Sequence, residues 1–120
     1  MPEEPCPFCE IVAGRAPATI VRAWPDALAI VPLNPVRAGH TLVIPREHVT
    51  DFLVDPDVSA ATMRRASQFG GDYPAGAMNL ITSRGRAATQ SVWHLHLHLL
   101  PRTEGDGLAL PWYSGKERKH

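Results

Sequence analysis

From Trp93 to Leu100 the chain reads Trp-His-Leu-His-Leu-His-Leu-Leu, and Pro101 follows. Two-residue alternation of this kind suits a β-strand and not a helix, whose same-face spacing is three or four residues. On a strand spanning Val92–Leu100, His94, His96 and His98 share one side, while Trp93, Leu95, Leu97 and Leu99 share the other. The leucine side has to be covered. Asp57–Phe69 carries Val58, Ala61, Thr62, Arg65, Ala66 and Phe69 at helical spacing and offers a helix to cover it. A sheet backed by at least one helix is therefore required.

The rest of the chain supplies the other elements. Residues 6–14 read as a short helix or turn stopped by Gly14. Thr19–Trp24 and Ala27–Val31 flank Pro25-Asp26 as a hairpin, Thr41–Ile44 is a strand ended by Pro45, and Ala77–Thr82 is another. Pro32–Gly39 is a proline-rich connection and Ser83–Thr89 an arginine-bearing loop. The 12 prolines in 120 residues are about double the usual ~5%, which favours short elements joined by fixed turns. The expected class is α+β, an antiparallel sheet of about five to six strands with a short N-terminal helix and one longer helix. A chain of 120 residues makes one domain, with its core over residues 6–102 and residues 103–120 as a C-terminal arm or tail.

Charge and composition exclude several classes. Twelve acidic and twelve basic residues balance, so no nucleic-acid polymer and no anionic membrane is expected as a partner. No apolar run approaches the roughly 18–20 residues that span a bilayer. The start, Met1-Pro2-Glu3-Glu4-Pro5, lacks the apolar stretch of a secretory signal. Two cysteines make no disulfide scaffold, and the cytoplasm is the expected address. Lys116–His120 reads as a charged, mobile end.

Three imidazoles in one register call for chemistry, because histidine is a poor packing residue and each covered ring needs a partner. They serve either proton and phosphoryl transfer or a catalytic metal. Gln90, Ser91, Arg84, Arg86 and Arg102 stand nearby in sequence. These are hydrogen-bonders and cations, suited to a phosphate and hostile to a dication. Cys6 and Cys9 form a C-x-x-C pair that fits a redox motif, a zinc half-site or a chance spacing. The absence of a βαβ context weighs against redox.

The segment Gln90–Arg102 closely resembles the signature of the histidine triad (HIT) family, His-φ-His-φ-His-φ-φ with φ apolar, in a branch that carries C-x-x-C. The likeness extends upstream through Cys6–Val12, Asn34-Pro35 and Gly39–His48, in the family's order. It implies a homodimeric enzyme that hydrolyses or transfers nucleoside monophosphates from phosphoramidates, mixed anhydrides or dinucleoside polyphosphates. By resemblance, His96 attacks the α-phosphorus and becomes a nucleotidyl-histidine, His98 contacts phosphate oxygens, and His94 completes the triad. Ser91 lies near the leaving group, and backbone amides around Thr89, Gln90 and Ser91 meet the developing charge. Asn34 and Ser83 fall at nucleotide-contacting positions, and His40 orients the triad. No metal is needed for the chemistry. Related bacterial members hold a structural zinc, for which the matching residues are Cys6, Cys9, His48 and His94. Leu108–Trp112 is a candidate dimer contact.

Three positions depart from the family pattern. Pro32 stands where an acidic residue or asparagine grips the ribose, and Ser83 replaces a longer amide. Thr89 replaces a glycine, which would limit that backbone to common φ values. Arg84 and Arg86 could compensate by drawing in a more highly charged substrate. The competing functions are a nucleotide-binding module without turnover and a zinc hydrolase that uses the triad as its metal site.

Overall fold

The computed structural model describes residues 5–72 and 76–116. The expectations for the segment before Pro5 and for Glu117–His120 lie outside the described residues. Within them the order is α1 (Pro7–Val12), β1 (Thr19–Ala23), β2 (Ala27–Val31), β3 (Thr41–Pro45), α2 (Pro56–Gly71), β4 (Met78–Ile81), a 3₁₀ turn (Arg86–Ala88) and β5 (Leu97–Pro101). The strands form one five-stranded antiparallel sheet in the order β1-β2-β3-β5-β4. The α+β architecture of sheet, short helix and longer helix is the expected one.

Local chemistry sets these elements. The Trp24 amide bonds the Ala27 carbonyl at 2.9 Å and closes the β1–β2 hairpin around Pro25-Asp26. Asp55 caps α2 by accepting from the amides of Asp57 and Val58, and Pro56 follows at the first helical turn. Cys6 caps α1 in the same way, its Sγ accepting the Cys9 amide at 3.2 Å.

Each face of the sheet has its own core. Ala27, Ala29, Val43, Leu97 and Leu99 face α2, joined by Leu95 and packed against Ala66, Val58 and Phe69. The leucine side thus lies on the helix predicted for it, and burying each such side chain contributes about 1.5–3 kcal/mol. On the other face Leu28, Ile30, Leu42 and Ile44 pack with Phe8 and Ile11 of α1. His98 pairs with Leu42 across β3 and β5 and so faces this second side. Among the described residues no helix is long and apolar enough to cross a membrane.

The largest departure from expectation is the length of β5. It begins at Leu97, not Val92, and Val92–His94 form a bend. The cause lies in the neighbours. Continuing the β3–β5 register past Val43↔Leu97 would set Leu95 against Pro45, which has no amide to donate. Leu95 instead bonds the Val49 carbonyl at 2.7 Å, and the Thr82 hydroxyl, not a backbone amide, serves the His96 carbonyl at 2.8 Å. Released from the ladder, Trp93 turns outward and is 40% exposed, whereas alternation placed it with the leucines.

Candidate active site and metal site

The four histidines 40, 94, 96 and 98 stand on the α1 side of the sheet; backbone partners fix the tautomers of His40, His94 and His96, and the His40 ring fixes that of His98. His40 precedes β3, and its Nδ1 accepts the Val36 amide at 3.0 Å. Its proton is therefore on Nε2, which donates to His98 Nδ1 at 2.9 Å, the two rings stacking with centroids 5.2 Å apart. His98 consequently carries its own proton on Nε2. His96 Nδ1–H donates to the His94 carbonyl at 2.7 Å, which leaves Nε2 with a free lone pair. The His96 and His98 rings are neighbours, with centroids 5.1 Å apart, and Phe8 meets His96 edge-on at 5.2 Å.

His96 and His98 line a cleft of about 1100 Å³. Its walls include Phe8, Ile11, Ile30 and Leu42 on the apolar side, and Asn34 and Ser91 on the polar side. Burial lowers the pKa of His96, and likewise of His40. His98 is pushed to about 4, by burial first and then by the neighbouring His96 and His40. At neutral pH the cleft thus presents one unprotonated ring nitrogen beside one ring N–H.

Other candidate residues sit elsewhere. His40 is buried behind His98. Gln90 is also buried and acts as a loop brace, its Oε1 accepting the Gly85 amide at 2.8 Å and its Nε2 donating to the carbonyls of Thr50 and Val92. Pro32 lines the cleft, whereas Ser83, Arg84, Arg86 and Thr89 do not. Arg84 instead has an exposed side chain whose Nε lies 3.5 Å from the carboxylate of the buried Asp51. Sequence reasoning missed Phe8, the Val36 amide and the Pro45 carbonyl. Only Phe8 left a trace, as the apolar residue between the two cysteines.

Thr89 corrects a second expectation. It adopts φ +75° and ψ +15°, in the left-handed region, so the loop keeps the glycine-like geometry without the glycine. The turn is held by Thr89 N–H to Arg86 O at 2.9 Å and Gln90 N–H to Gly85 O at 3.1 Å. A β-branched residue there costs about 1–2 kcal/mol, against about 0.5–1 kcal/mol for ordering glycine. Thr89→Gly should therefore raise unfolding free energy by up to about 1 kcal/mol in urea denaturation, and a loss of stability would show that the threonine is not strained.

His94 differs from its triad partners. It is completely buried, not displayed with them at the surface. Its Nε2–H donates to the Pro45 carbonyl at 2.8 Å, so Nδ1 is unprotonated. That atom lies 3.4 Å from Cys6 Sγ, 3.5 Å from Cys9 Sγ and 3.2 Å from His48 Nδ1, and Cys9 Sγ is 3.2 Å from His48 Nδ1. A tetrahedral zinc, about 2.3 Å from sulfur and about 2.0–2.1 Å from nitrogen, would set its ligands about 3.4 Å (N–N) and about 3.5 Å (N–S) apart. The four donor atoms, all within 4.8 Å of one another, fit that ion. Burial, followed by Cys6, pushes the Cys9 thiol up to about 11, so ligation would displace its proton. Among the described residues this cluster takes one triad member, and the triad itself does not converge as a ligand set.

The HIT domain family model matches residues 13–105. A HIT-like protein of Mycobacterium tuberculosis is 41% identical over 113 residues, which cover 88% of this chain and 77% of the relative. An adenylylsulfatase of Arabidopsis thaliana is 32% identical, over 96% of this chain and 59% of that protein. The crystal structure of a Zn-bound histidine triad family protein from Mycobacterium smegmatis superposes with a TM-score of 0.76 at 37% identity, covering 87% of this chain and 79% of the other. A shared sheet, a file of histidines on one face of it and a matched span of this length lead to one assignment: the chain belongs to the histidine triad family.

Proposed function

We propose that the protein cleaves a P–N or P–O–P bond next to a nucleoside monophosphate through a covalent nucleotidyl-His96, passing the nucleotide to water or another acceptor. The observation that carries this reading is the opposite protonation of two adjacent rings on one cleft, with His96 Nε2 unprotonated and His98 Nε2 protonated. Family membership supports a nucleotide-binding hydrolase or transferase.

In the first step the His96 Nε2 lone pair forms the N–P bond, and the bond from phosphorus to the leaving group breaks with its electron pair. The ring then becomes cationic, and the His94 carbonyl already accepts from its Nδ1–H, where that charge is felt. His98 Nε2–H donates to a non-bridging oxygen as negative charge grows. Ser91, on the cleft wall, supplies a hydroxyl proton to the departing atom. In the second step water attacks phosphorus and passes one proton to the Ser91 oxygen, which restores the hydroxyl spent in the first step, and the N–P bond breaks, returning the electron pair to Nε2.

Cys6, Cys9, His48 and His94 would hold a structural zinc, which supplies cross-linking and no chemistry in the cleft. The apolar wall of Ile11, Ile30 and Leu42 receives the base. Pro32 on the same cleft offers no side-chain acceptor to ribose hydroxyls. Ribo- and 2′-deoxyribonucleotide substrates should therefore differ by less than about tenfold in kcat/KM, because no buried acceptor is left unpaired by the deoxy sugar. A preference of a thousandfold would place a ribose acceptor elsewhere.

The decisive experiment is incubation with an adenosine phosphoramidate, acid-free quench and intact-mass spectrometry. A mass gain of one adenylyl group mapping to His96 is expected. Tight binding with no adduct and no turnover would leave a binding module in its place.

A further inference from the structure

We propose that Arg37 and Asp106 are positioning residues for the His40–His98 pair, an ion pair that ties the backbone carrying one ring to the backbone carrying the other. This rests on the reading that His98 donates to a phosphate oxygen.

Asp106 lies in the arm after β5, with its side chain 5% exposed. It accepts five N–H bonds: from Arg102 Nε at 2.8 Å and Nη2 at 2.9 Å, from Arg37 Nη1 at 3.1 Å, and from the amides of Thr103 at 3.1 Å and Leu108 at 3.0 Å. Arg102 is further committed to Asn79 Oδ1 at 2.7 Å and the Leu108 carbonyl at 2.6 Å. Arg102 and Asp106 therefore fasten the arm to β4 and β5, and that fastening does not need Arg37.

Arg37 does something else. It belongs to the connection between β2 and β3, in which no residue from 33 to 39 is buried; Leu33 is 95% exposed and Val36 53%. Apolar packing cannot fix this loop. Its attachments are polar: Arg37 Nη1 to Asp106 and, at 3.3 Å, to Thr103 Oγ1. The loop in turn wraps His40. The His40 amide bonds the Arg37 carbonyl at 3.1 Å, and the Val36 amide bonds His40 Nδ1 at 3.0 Å.

The Val36 amide is what makes Nδ1 of His40 an acceptor, and thereby sends the His40 proton to His98 and the His98 proton to the cleft. If the loop drifts from His40, either ring can take its other tautomer. His98 then turns a lone pair toward the phosphate where a donor is needed, and the transition state loses a bond while the apolar base site is untouched.

The test is Arg37→Met, which keeps the aliphatic stem and leaves the Arg102–Asp106 pair intact, with Arg37→Lys as the charge-conserving partner. Long-range ¹⁵N–¹H spectra assign the tautomers of His40 and His98, and kcat and KM are measured with an adenosine phosphoramidate. Wild-type protein is expected to show a single Nε2–H form of His98. Arg37→Met should show mixed tautomers, with kcat reduced at least about tenfold and KM changed less than about twofold, and Arg37→Lys should recover most of both. Wild-type tautomers and wild-type kcat in Arg37→Met would overturn the proposal, as would a kcat loss without tautomer change. Absence of an adduct in the wild-type protein would instead remove the functional reading, and the spectra alone would still decide this one.

Discussion

Substituting His96 with alanine should eliminate the nucleotidyl adduct and lower kcat/KM by about 10⁴-fold or more, the scale on which loss of a covalent nucleophile is felt. The substitution removes the one ring nitrogen in the cleft that is both unprotonated and free of a protein partner. Its ring lies against the rings of Phe8 and His98, while Leu95 and Leu97 on either side anchor the backbone in the core. The fold should therefore survive, and the melting temperature should move by only a few degrees. His98→Ala should behave differently, forming the adduct slowly, because the bond-forming atom remains and only charge stabilisation is lost. Intact mass after rapid quench separates the two. An adduct of wild-type size in His96→Ala would move the nucleophile to another residue.

The same arrangement fixes the pH response. On the proposed mechanism the active form of His96 is the neutral ring, and burial holds its pKa below the ordinary 6.5. His98 is neutral down to about 4. Activity should thus be level through neutrality and fall only on the acid side, below the range in which free histidine titrates. Folding stability follows the same direction. The unfolded chain takes up protons at these rings near pH 6.5 while the folded chain does not, so stability declines as pH drops from there toward 4.

The second large effect is on the fold. Removing zinc with a strong chelator, or replacing Cys9 with alanine, should lower unfolding free energy by at least about 3 kcal/mol and the melting temperature by about 10 °C or more. The magnitude follows from what the cluster joins. Cys9 and His48 are 39 residues apart and His48 and His94 are 46 apart, so one ion would close two long loops of the unfolded chain. It would also tie a helix of six residues, α1, to the sheet, and an element that short has little stability of its own. One zinc per chain by elemental analysis and a chelator-sensitive melting curve are expected. A curve indifferent to chelator in protein shown to be zinc-loaded would remove the structural role.

Much of this site could be read from the alternation alone. The leucine sole, the helix beneath it and the neighbouring His96 and His98 all follow from period two and period 3.6 in the chain. What alternation could not show is where the strand stops. That depends on Pro45, distant in sequence, having no amide to offer opposite Leu95, and the outward turn of Trp93 depends on it too. The left-handed Thr89 was hidden because a propensity disfavours such a conformation without forbidding it, and the turn bonds around Gly85 and Arg86 overrule it. The Val36 amide and the Asp106 anchor were unreadable for a simpler reason. One is a backbone group common to nearly every residue, and the other is a single carboxylate 69 positions from Arg37.

His94 has a further implication for how variants of this protein are interpreted. Its imidazole belongs to the sulfur-and-nitrogen knot, and its main-chain oxygen holds the ring of His96, the proposed nucleophile. A scan that scores the three motif histidines as equals would record His94→Ala as an inactive enzyme. The true event would be a mechanical one, with an unpicked staple letting the anchoring oxygen wander. Loss of turnover and loss of foldedness would thus converge on one residue, and an activity assay alone would not tell them apart.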